Sequence, residues 1–418
     1  MMIELFGGNF QNFGAQLMLQ TTVHRLRTED TSLRLAMETG KADTFARRAP
    51  LGLEAVYPPE HKCGSVRGRV VCGAFRLPKV ARLIDRLGIH PPRRMSGLVD
   101  LSGYRLGDKW GPRPAEQLLK KVRRYQEEGK PVVFLPQMFG PFEQPRVAAA
   151  SADLLQRADL VFARDEDSLA AVRDLGVSDQ TSLLAPDLTI SCAVQPIALR
   201  QRPYVCLVPN ERLLDRGQAA WKEVYLDRLV RAAERVLRSG RELVVLLHSR
   251  DSGDRRLGLE ILKRCEAFAP AVSLCDHDDP VYLKGVIAGS EFLVGSRFHA
   301  IVAALSSGVP AVALGWAHKY PMLLRDFGTP DLIHGPNDTP QHLDGLVDRL
   351  IDPNESAQVS SVLNAKREIL VGRSEATWRK TLECLGVTPA ESAEPVLSEL
   401  ESRQACPPTD ERWRRKSA

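Results

Sequence analysis

The residues best suited to chemistry stand where strands give way to helices. Gly295-Ser296-Arg297-Phe298-His299-Ala300 follows an apolar run and opens a helical pattern. An arginine and a histidine two positions apart at such a turn can both face a cleft, while Phe298 between them turns toward the core. Arg297 offers a planar fork that grips carboxylate or phosphate through two hydrogen bonds. His299 can serve as a general acid near neutral pH, or as an anion ligand once protonated. Taken alone, such a pair reads more readily as a strand-end cap and a core histidine; the strand-to-helix setting favours chemistry. A second run, Val309 to Leu314, leads through Gly315-Trp316-Ala317-His318 to Lys319, a point charge at the start of the next helix. In the first half of the chain, Phe162-Ala163-Arg164-Asp165-Glu166-Asp167-Ser168 has the same form. Asp165 or Asp167 suits the helix cap, and Arg164 stands at the strand end. The loop 135–142 is another strand end, where Gly140 permits close backbone approach.

Weaker candidates surround these. The stretch His248-Ser249-Arg250-Asp251 ends a strand and is polar enough to line a cleft, so His248 and Asp251 are candidate acceptor contacts or plain loop. Asp187, in Pro186-Asp187, is placed to orient a hinge between halves. Asp187, Asp108 and Asp251 are the possible bases toward an acceptor. Trp316 and Tyr320 could stack on a sugar or pack beneath a helix. No Asp-x-Asp or His/Cys cluster stands out, so no metal site and no cofactor is expected.

Positioning these groups requires parallel α/β architecture. The chain opens with an apolar run at 2–6, a Gly/Asn loop at 7–14 and a helical pattern at 15–26. The stretch 29–92 gives only fragments of periodicity, with one helix near 79–87. Strand and helix patterns then alternate to residue 175, and residues 193–203, with two prolines, read as a linker. Beyond it, strands near 204–209, 242–248, 272–275, 291–294 and 311–315 alternate with helices, as in a doubly wound parallel sheet. The expected fold class is α/β, two Rossmann-like domains facing across a cleft. The first, 1–195, takes the acceptor side and sends Arg164 into the cleft; the second, 203–352, takes the donor side. Helices at 353–388 and a disordered basic tail at 389–418 follow. Helix N-termini and strand ends would point into the cleft, a geometry that favours an anionic ligand.

Composition sets outer bounds. A length of 418 residues suits two domains. With 44% hydrophobic and 26% charged residues, the chain has an ordinary globular balance, and a net charge of +5 is a mild excess. It fits handling of phosphate, carboxylate or acidic glycan without calling for nucleic acid. The eight cysteines are scattered and form no CxxC pair, which favours a reducing compartment. The glycine loop comes too early for a signal peptide's apolar region, and the longest apolar stretch, 301–316, is too interrupted to span a membrane. A cytoplasmic protein is expected, with any association at the inner membrane face peripheral.

The order of these stretches resembles the polysaccharide pyruvyl transferase family. The resemblance is carried by the Gly/Asn-rich start, Ser102-Gly103, Gln137-x-x-Gly140-Pro141-Phe142, Ala163-Arg164-Asp165-x-x-Ser168, Pro186-Asp187, Ser296-Arg297-Phe298-His299-Ala300, Gly308-Val309-Pro310 and Lys319. It implies a glycosyltransferase-B-like fold, phosphoenolpyruvate as co-substrate, and transfer of pyruvate as a ketal onto a sugar of a surface or exopolysaccharide. It implies donor contacts at Arg164, Arg297 and His299, to which the strand-end reading adds Lys319, with His299 catalytic. The acceptor would be a glycan or lipid-linked oligosaccharide. Two departures stand out: Ala15 follows Asn12-Phe13-Gly14 where the family often has an acid, and Tyr104 follows Ser102-Gly103 where it has glycine. A nucleotide-sugar glycosyltransferase, or a non-catalytic glycan-binding protein on the same fold, are the rival readings. The first would need a ribose-binding acid after Lys319, and no glutamate is clearly placed there; the second would lose the Arg-x-His pair.

Overall fold

The computed structural model describes residues 1–57, 69–70, 73–74, 77–214, 219–315, 317 and 319–387. Each half of the chain builds one sheet in which every described pairing is parallel. The first contains β1 (Met2–Phe6), β2 (Arg34–Glu38), β3 (Glu54–Val56), β4 (Ile89–His90), β5 (Gly97–Asp100), β6 (Tyr104–Leu106), β7 (Val132–Phe139), β8 (Leu160–Ala163) and β9 (Ser182–Leu184). Their order is β4-β3-β2-β1-β5-β7-β8-β9, with β6 beside β7. The second contains β10 (Tyr204–Val208), β11 (Glu242–Leu246), β12 (Val272–Cys275), β13 (Leu293–Gly295), β14 (Ala311–Leu314) and β15 (Ile333–His334), in the order β12-β11-β10-β13-β14-β15. Each order reverses once, between β1 and β5 and between β10 and β13. At such a point the two following helices diverge to opposite faces and open a crevice at the strand ends.

The central strands are buried on both faces, which is why they read as continuous apolar runs. Along β5, Leu98 packs on one face of the sheet and Val99 on the other; Phe134 and Leu135 of β7 divide in the same way. β7 continues past Pro136, further than the expected end at Leu135. Proline has no N–H for the ladder, and the register with β8 shifts between Phe134 and Gln137.

The longer helices are α1 (Phe13–Glu29), α2 (Pro78–Arg86), α3 (Arg113–Glu127), α4 (Pro145–Leu155), α5 (Glu166–Asp174), α6 (Tyr225–Arg238), α7 (Ser252–Arg264), α8 (Pro280–Ala288), α9 (Phe298–Ser306), α10 (Lys319–Asp326), α11 (Pro340–Ile351) and α12 (Pro353–Leu385). The last fills most of the helical region expected over 353–388. α12 is one helix of 33 residues, started by Asp352, whose side chain accepts from two backbone N–H groups, and stopped by Gly386 at φ 66°. Its Val359, Leu363 and Leu370 join the second-domain core. Its Trp378, Leu382 and Leu385 return to the first-domain core. The basic tail at 389–418 lies outside the described residues. Among the described residues, no helix is long and apolar enough to cross a membrane.

Candidate active site between the domains

The two halves meet through residues that face each other across the strand ends. Arg250 lies 4.5 Å over the ring of Phe13 and donates from Nη1 to Gln16 Oε1 at 3.0 Å. Lys284 donates to the carbonyl of Thr189 at 2.8 Å, a buried contact between domains. His299 presses against the first turn of α1: a Cβ on Gly14 would lie 2.1 Å from His299 Nδ1. Gly14 is therefore needed for lack of a side chain. The Asn12 side chain caps the same turn, accepting from Gly14 N at 2.8 Å.

Between the halves, and against α12, lies a narrow pocket that opens to solvent. Arg164, Asp187, Phe298, Lys319, Asp326 and Leu370 are among its lining residues. Arg164 extends from the end of β8 to lie 4.6 Å over the Phe298 ring, and Lys319, at the start of α10, lies 4.7 Å over the same ring. The ring's electron-rich face attracts each cation, but the cations repel each other. Burial, then Arg164, then Lys109 and Arg297 push the Lys319 ammonium down to about 7, against the pull of Asp187. A multiply charged anion entering here would relieve that repulsion.

Asp187 holds Arg164 in place. It is buried, accepts from Arg164 Nη1 at 2.9 Å, and also accepts from the backbone N–H and hydroxyl of Thr189. Burial alone would raise its pKa. The Arg164 charge, then His299 and the Thr189 bonds, outweigh burial and hold the carboxyl at about 2. Asp187 was expected at a hinge or facing an acceptor; a buried carboxylate this acidic, bound to a guanidinium, is a poor base. His299 Nε2 lies 3.9 Å from Asp187 Oδ2 and has no hydrogen-bond partner. Burial lowers the imidazole to about 4; Asp187 opposes this, and Arg164 and Lys319 reinforce it.

Arg297 stands apart from this group. Its Nε and Nη2 both donate to the fully buried carboxylate of Asp254, at 2.8 and 2.5 Å. The expectation of an open fork aimed at a donor is corrected accordingly: Asp254, in the first turn of α7, occupies it and leaves only Nη1 outside the pair. Asp251 lies 3.6 Å from Nη2 and is partly exposed, the candidate cleft acid with the easiest access to solvent. His248 is buried, edge-on to Phe13, and its imidazole is lowered to about 3 by burial and by His299 and Arg297. It lies behind the site and does not face an acceptor. Asp108 accepts from the backbone N–H groups of Glu143 and Gln144 and acts as a loop clamp.

The turn that presents Arg297 and His299 is braced by Tyr320 and by two residues that sequence reasoning missed, Asn210 and Tyr225. The Ser296 carbonyl accepts from Asn210 Nδ2 at 3.0 Å and from the Tyr320 hydroxyl at 2.7 Å, and the Ser296 hydroxyl bonds to Tyr225. Tyr320 is buried and belongs to this brace, not to a sugar platform; Trp316 lies outside the described residues. Asn210, directly beyond β10 at the switch point, was the legible signal. Gly140, at φ 80°, packs near Ala171, and its carbonyl sits where a Cβ on Gly107 would come within 2.5 Å, so the glycines serve protein packing.

Asp326 was also missed. It ends α10 at the pocket mouth. The residue is exposed overall, but partial burial of its carboxyl, then the like charge of Asp165, push it up to about 6, with Arg373 opposing. That brings one carboxyl near the pKa useful for taking a proton at neutral pH.

Comparison with known proteins agrees with this architecture. The amylovoran biosynthesis protein AmsJ of Erwinia amylovora is 21% identical over 361 residues, covering 80% of both chains. Among solved structures, the UDP complex of Staphylococcus aureus MnaA superposes with a TM-score of 0.56 at 12% identity, covering 94% of this chain and 99% of that one. UDP-GlcNAc 2-epimerase from Neisseria meningitidis gives 0.57 at 11% identity over 92% and 100%. Anabaena HepE with UDP and glucose gives 0.53 at 14% over 92% and 99%. At these identities the likeness is one of fold, the glycosyltransferase-B-like arrangement of two parallel α/β domains. A family model named polysaccharide pyruvyl transferase matches residues 79–318. That span is more than half of the chain and includes Arg164, Asp187, Arg297 and His299, so the chain belongs to the polysaccharide pyruvyl transferase family.

Proposed function

We propose that the protein transfers pyruvate from phosphoenolpyruvate to a pair of hydroxyls on one sugar of a surface or exopolysaccharide, or of its lipid-linked precursor, forming a ketal. The observation that carries this reading is the convergence of Arg164 and Lys319 on the ring of Phe298, beside His299, in a pocket shared by both domains. Phosphoenolpyruvate brings a carboxylate and a phosphate on a small unsaturated carbon frame. Two cations whose repulsion an anion relieves suit such a ligand.

In the proposed reaction, a proton adds to the terminal methylene carbon and the second carbon gains oxocarbenium character. One sugar hydroxyl attacks that carbon and loses its proton, the carbon–oxygen bond to phosphate breaks, and phosphate leaves with the bonding pair. A second hydroxyl then attacks and gives up its proton, closing the ketal. Arg164, locked by Asp187, and Lys319 hold the donor oxygens, and Arg297 contributes one bond through Nη1. His299 is neutral at pH 7 with its pKa near 4; an incoming anion raises that value, so the acid is charged by the donor that needs it. Asp326 is our assignment for the acceptor base. The chemistry requires neither metal nor organic cofactor. The reaction fits a cytoplasmic enzyme working peripherally at the inner membrane face, where lipid-linked glycans are built.

Thermal shift with phosphoenolpyruvate and with nucleotide sugars separates the readings. At ~100 times its dissociation constant, the true donor stabilises the fold by about 2.7 kcal/mol. A shift with nucleotide sugars alone would replace pyruvyl transfer by glycosyl transfer.

A further inference from the structure

The second domain carries a cluster of ligating side chains that the reaction does not use. His334 ends β15, Asp338 lies in the turn that follows, and His342 lies in the first turn of α11. Their spacing of four and four mimics one face of a helix, but here it wraps a strand end, a turn and a helix start around one point. His334 Nδ1 and His342 Nδ1 are 3.3 Å apart, and Asp338 Oδ2 lies 3.9 Å from the first and 3.5 Å from the second. A triangle with those sides has a centre about 2.1 Å from every corner, within the zinc–nitrogen and zinc–oxygen range of about 2.0–2.2 Å. We propose that His334, Asp338 and His342 form a zinc site that staples the end of β15 to the start of α11.

The surroundings fit that role. His334 is fully buried and stands edge-on to Trp221, which fixes the ring. The Gly335 N–H donates to Asp338 Oδ2 at 2.7 Å, holding the carboxylate oxygen that completes the triangle. Outer-shell bonds of this kind orient ligands and tune affinity. Two imidazoles and one carboxylate favour zinc over calcium or magnesium, which take oxygen ligands. The side chains of Asp338 and His342 are each 44% exposed, so the ion has an entry path and room for a water as fourth ligand. The position matters for the active site next door. Leu314 pairs with His334 at the end of the sheet, and the chain beyond Leu314 leads directly to Lys319. The staple therefore fixes the sheet edge from which a donor-binding lysine is suspended.

The test uses the full chain, stripped with a chelator and titrated with zinc by calorimetry. The expected result is one zinc per chain, with affinity reduced at least tenfold in His342→Ala and in Asp338→Asn and unchanged in the control His24→Ala. Both substituted positions in the cluster are exposed enough for the variants to fold, and circular dichroism verifies this. Cobalt substitution adds a ligand signature: four-coordinate nitrogen and oxygen ligation gives visible d–d absorption without a thiolate charge-transfer band. Absence of stoichiometric binding, equal affinity in wild type and His342→Ala, or a thiolate band from cysteine ligation each overturns the proposal. None of these readouts depends on pyruvyl transfer.

Discussion

Arg164 and Arg297 occupy matching places in the two halves. Each follows a short buried strand, and each stands at the threshold of a helix. Their surroundings differ. Arg164 gives one nitrogen to Asp187 and lays its guanidinium across Phe298 in the pocket. Arg297 gives two nitrogens to Asp254, a carboxylate with no exposure to solvent. The same local pattern therefore yields a ligand-facing cation in one domain and mainly a structural one in the other. What decides between them is where the nearest buried carboxylate stands and how much of the fork it takes.

The largest expected effect on this comparison comes from the residue that touches both sides of the domain boundary. His299→Ala should lower turnover by ~10²–10⁴-fold, the range for a general acid, with a smaller change in donor affinity. Steady-state kinetics with an acceptor glycan measure it, and turnover near wild type would remove His299 from the chemistry. Next, Arg297→Ala should destabilise the fold by about 3–5 kcal/mol, because Asp254 is left charged and buried without its partner. Urea unfolding reads this, and adding Asp254→Asn should recover part of the loss. A variant of full stability that no longer binds donor would invert the comparison.

Arg164→Ala should weaken donor binding by about 2–5 kcal/mol, more than Arg297→Ala does. Titration calorimetry on both variants ranks them, and equal losses would show that both arginines grip the donor alike. A smaller effect follows from Lys319. An anion favours its charged form, so binding raises its pKa from about 7 and takes up a proton. Donor affinity should fall as pH rises above 7, by up to tenfold per unit. The donor phosphate, with a second pKa near 6 for a phosphate ester, is already fully charged there. Affinity that stays flat from pH 7 to 9 would mean that Lys319 does not meet the donor. Least affected should be activity after chelation. Turnover should survive removal of divalent ions, since the zinc proposed at His334, Asp338 and His342 is structural and outside the reaction; complete loss restored by a metal in His342→Ala as well as in wild type would place an ion in the reaction itself.

Much of this molecule was legible in its sequence, and the exceptions share a cause. Strands such as Tyr204–Val208 and Glu242–Leu246 announce themselves because both faces are buried and the run is uniformly apolar. β2, β3 and β4 did not, since two to five residues with Arg34, Glu38, Glu54 and His90 among them carry too little pattern. At the site, residue types and strand-end positions pointed to Arg164, His299 and Lys319. They could not show that Asp254, 43 positions before Arg297, would close on its fork. Nor could they show that Asp326, an ordinary acid at a helix end, would share a pocket with Asp165. Such pairings are set by tertiary approach, on which local sequence is silent. The cluster of His334, Asp338 and His342 escaped for a different reason: its spacing suits a helix, while the chain there is mostly not helical.

The path of α12 bears on how the chain is made. Trp378, Leu382 and Leu385 complete a core whose first-domain members, such as Leu5, Leu19, Val99 and Leu188, all come from the first 188 residues. Emerging from the ribosome, the amino-terminal domain therefore waits with one wall missing while the entire second domain is translated. Residue 378 follows residue 188 by 190 positions, which is roughly 10–40 s at ordinary elongation rates of about 5–20 residues per second. Through that interval the apolar surface meant for Trp378 stays uncovered, and a chain stopped short of α12 never covers it.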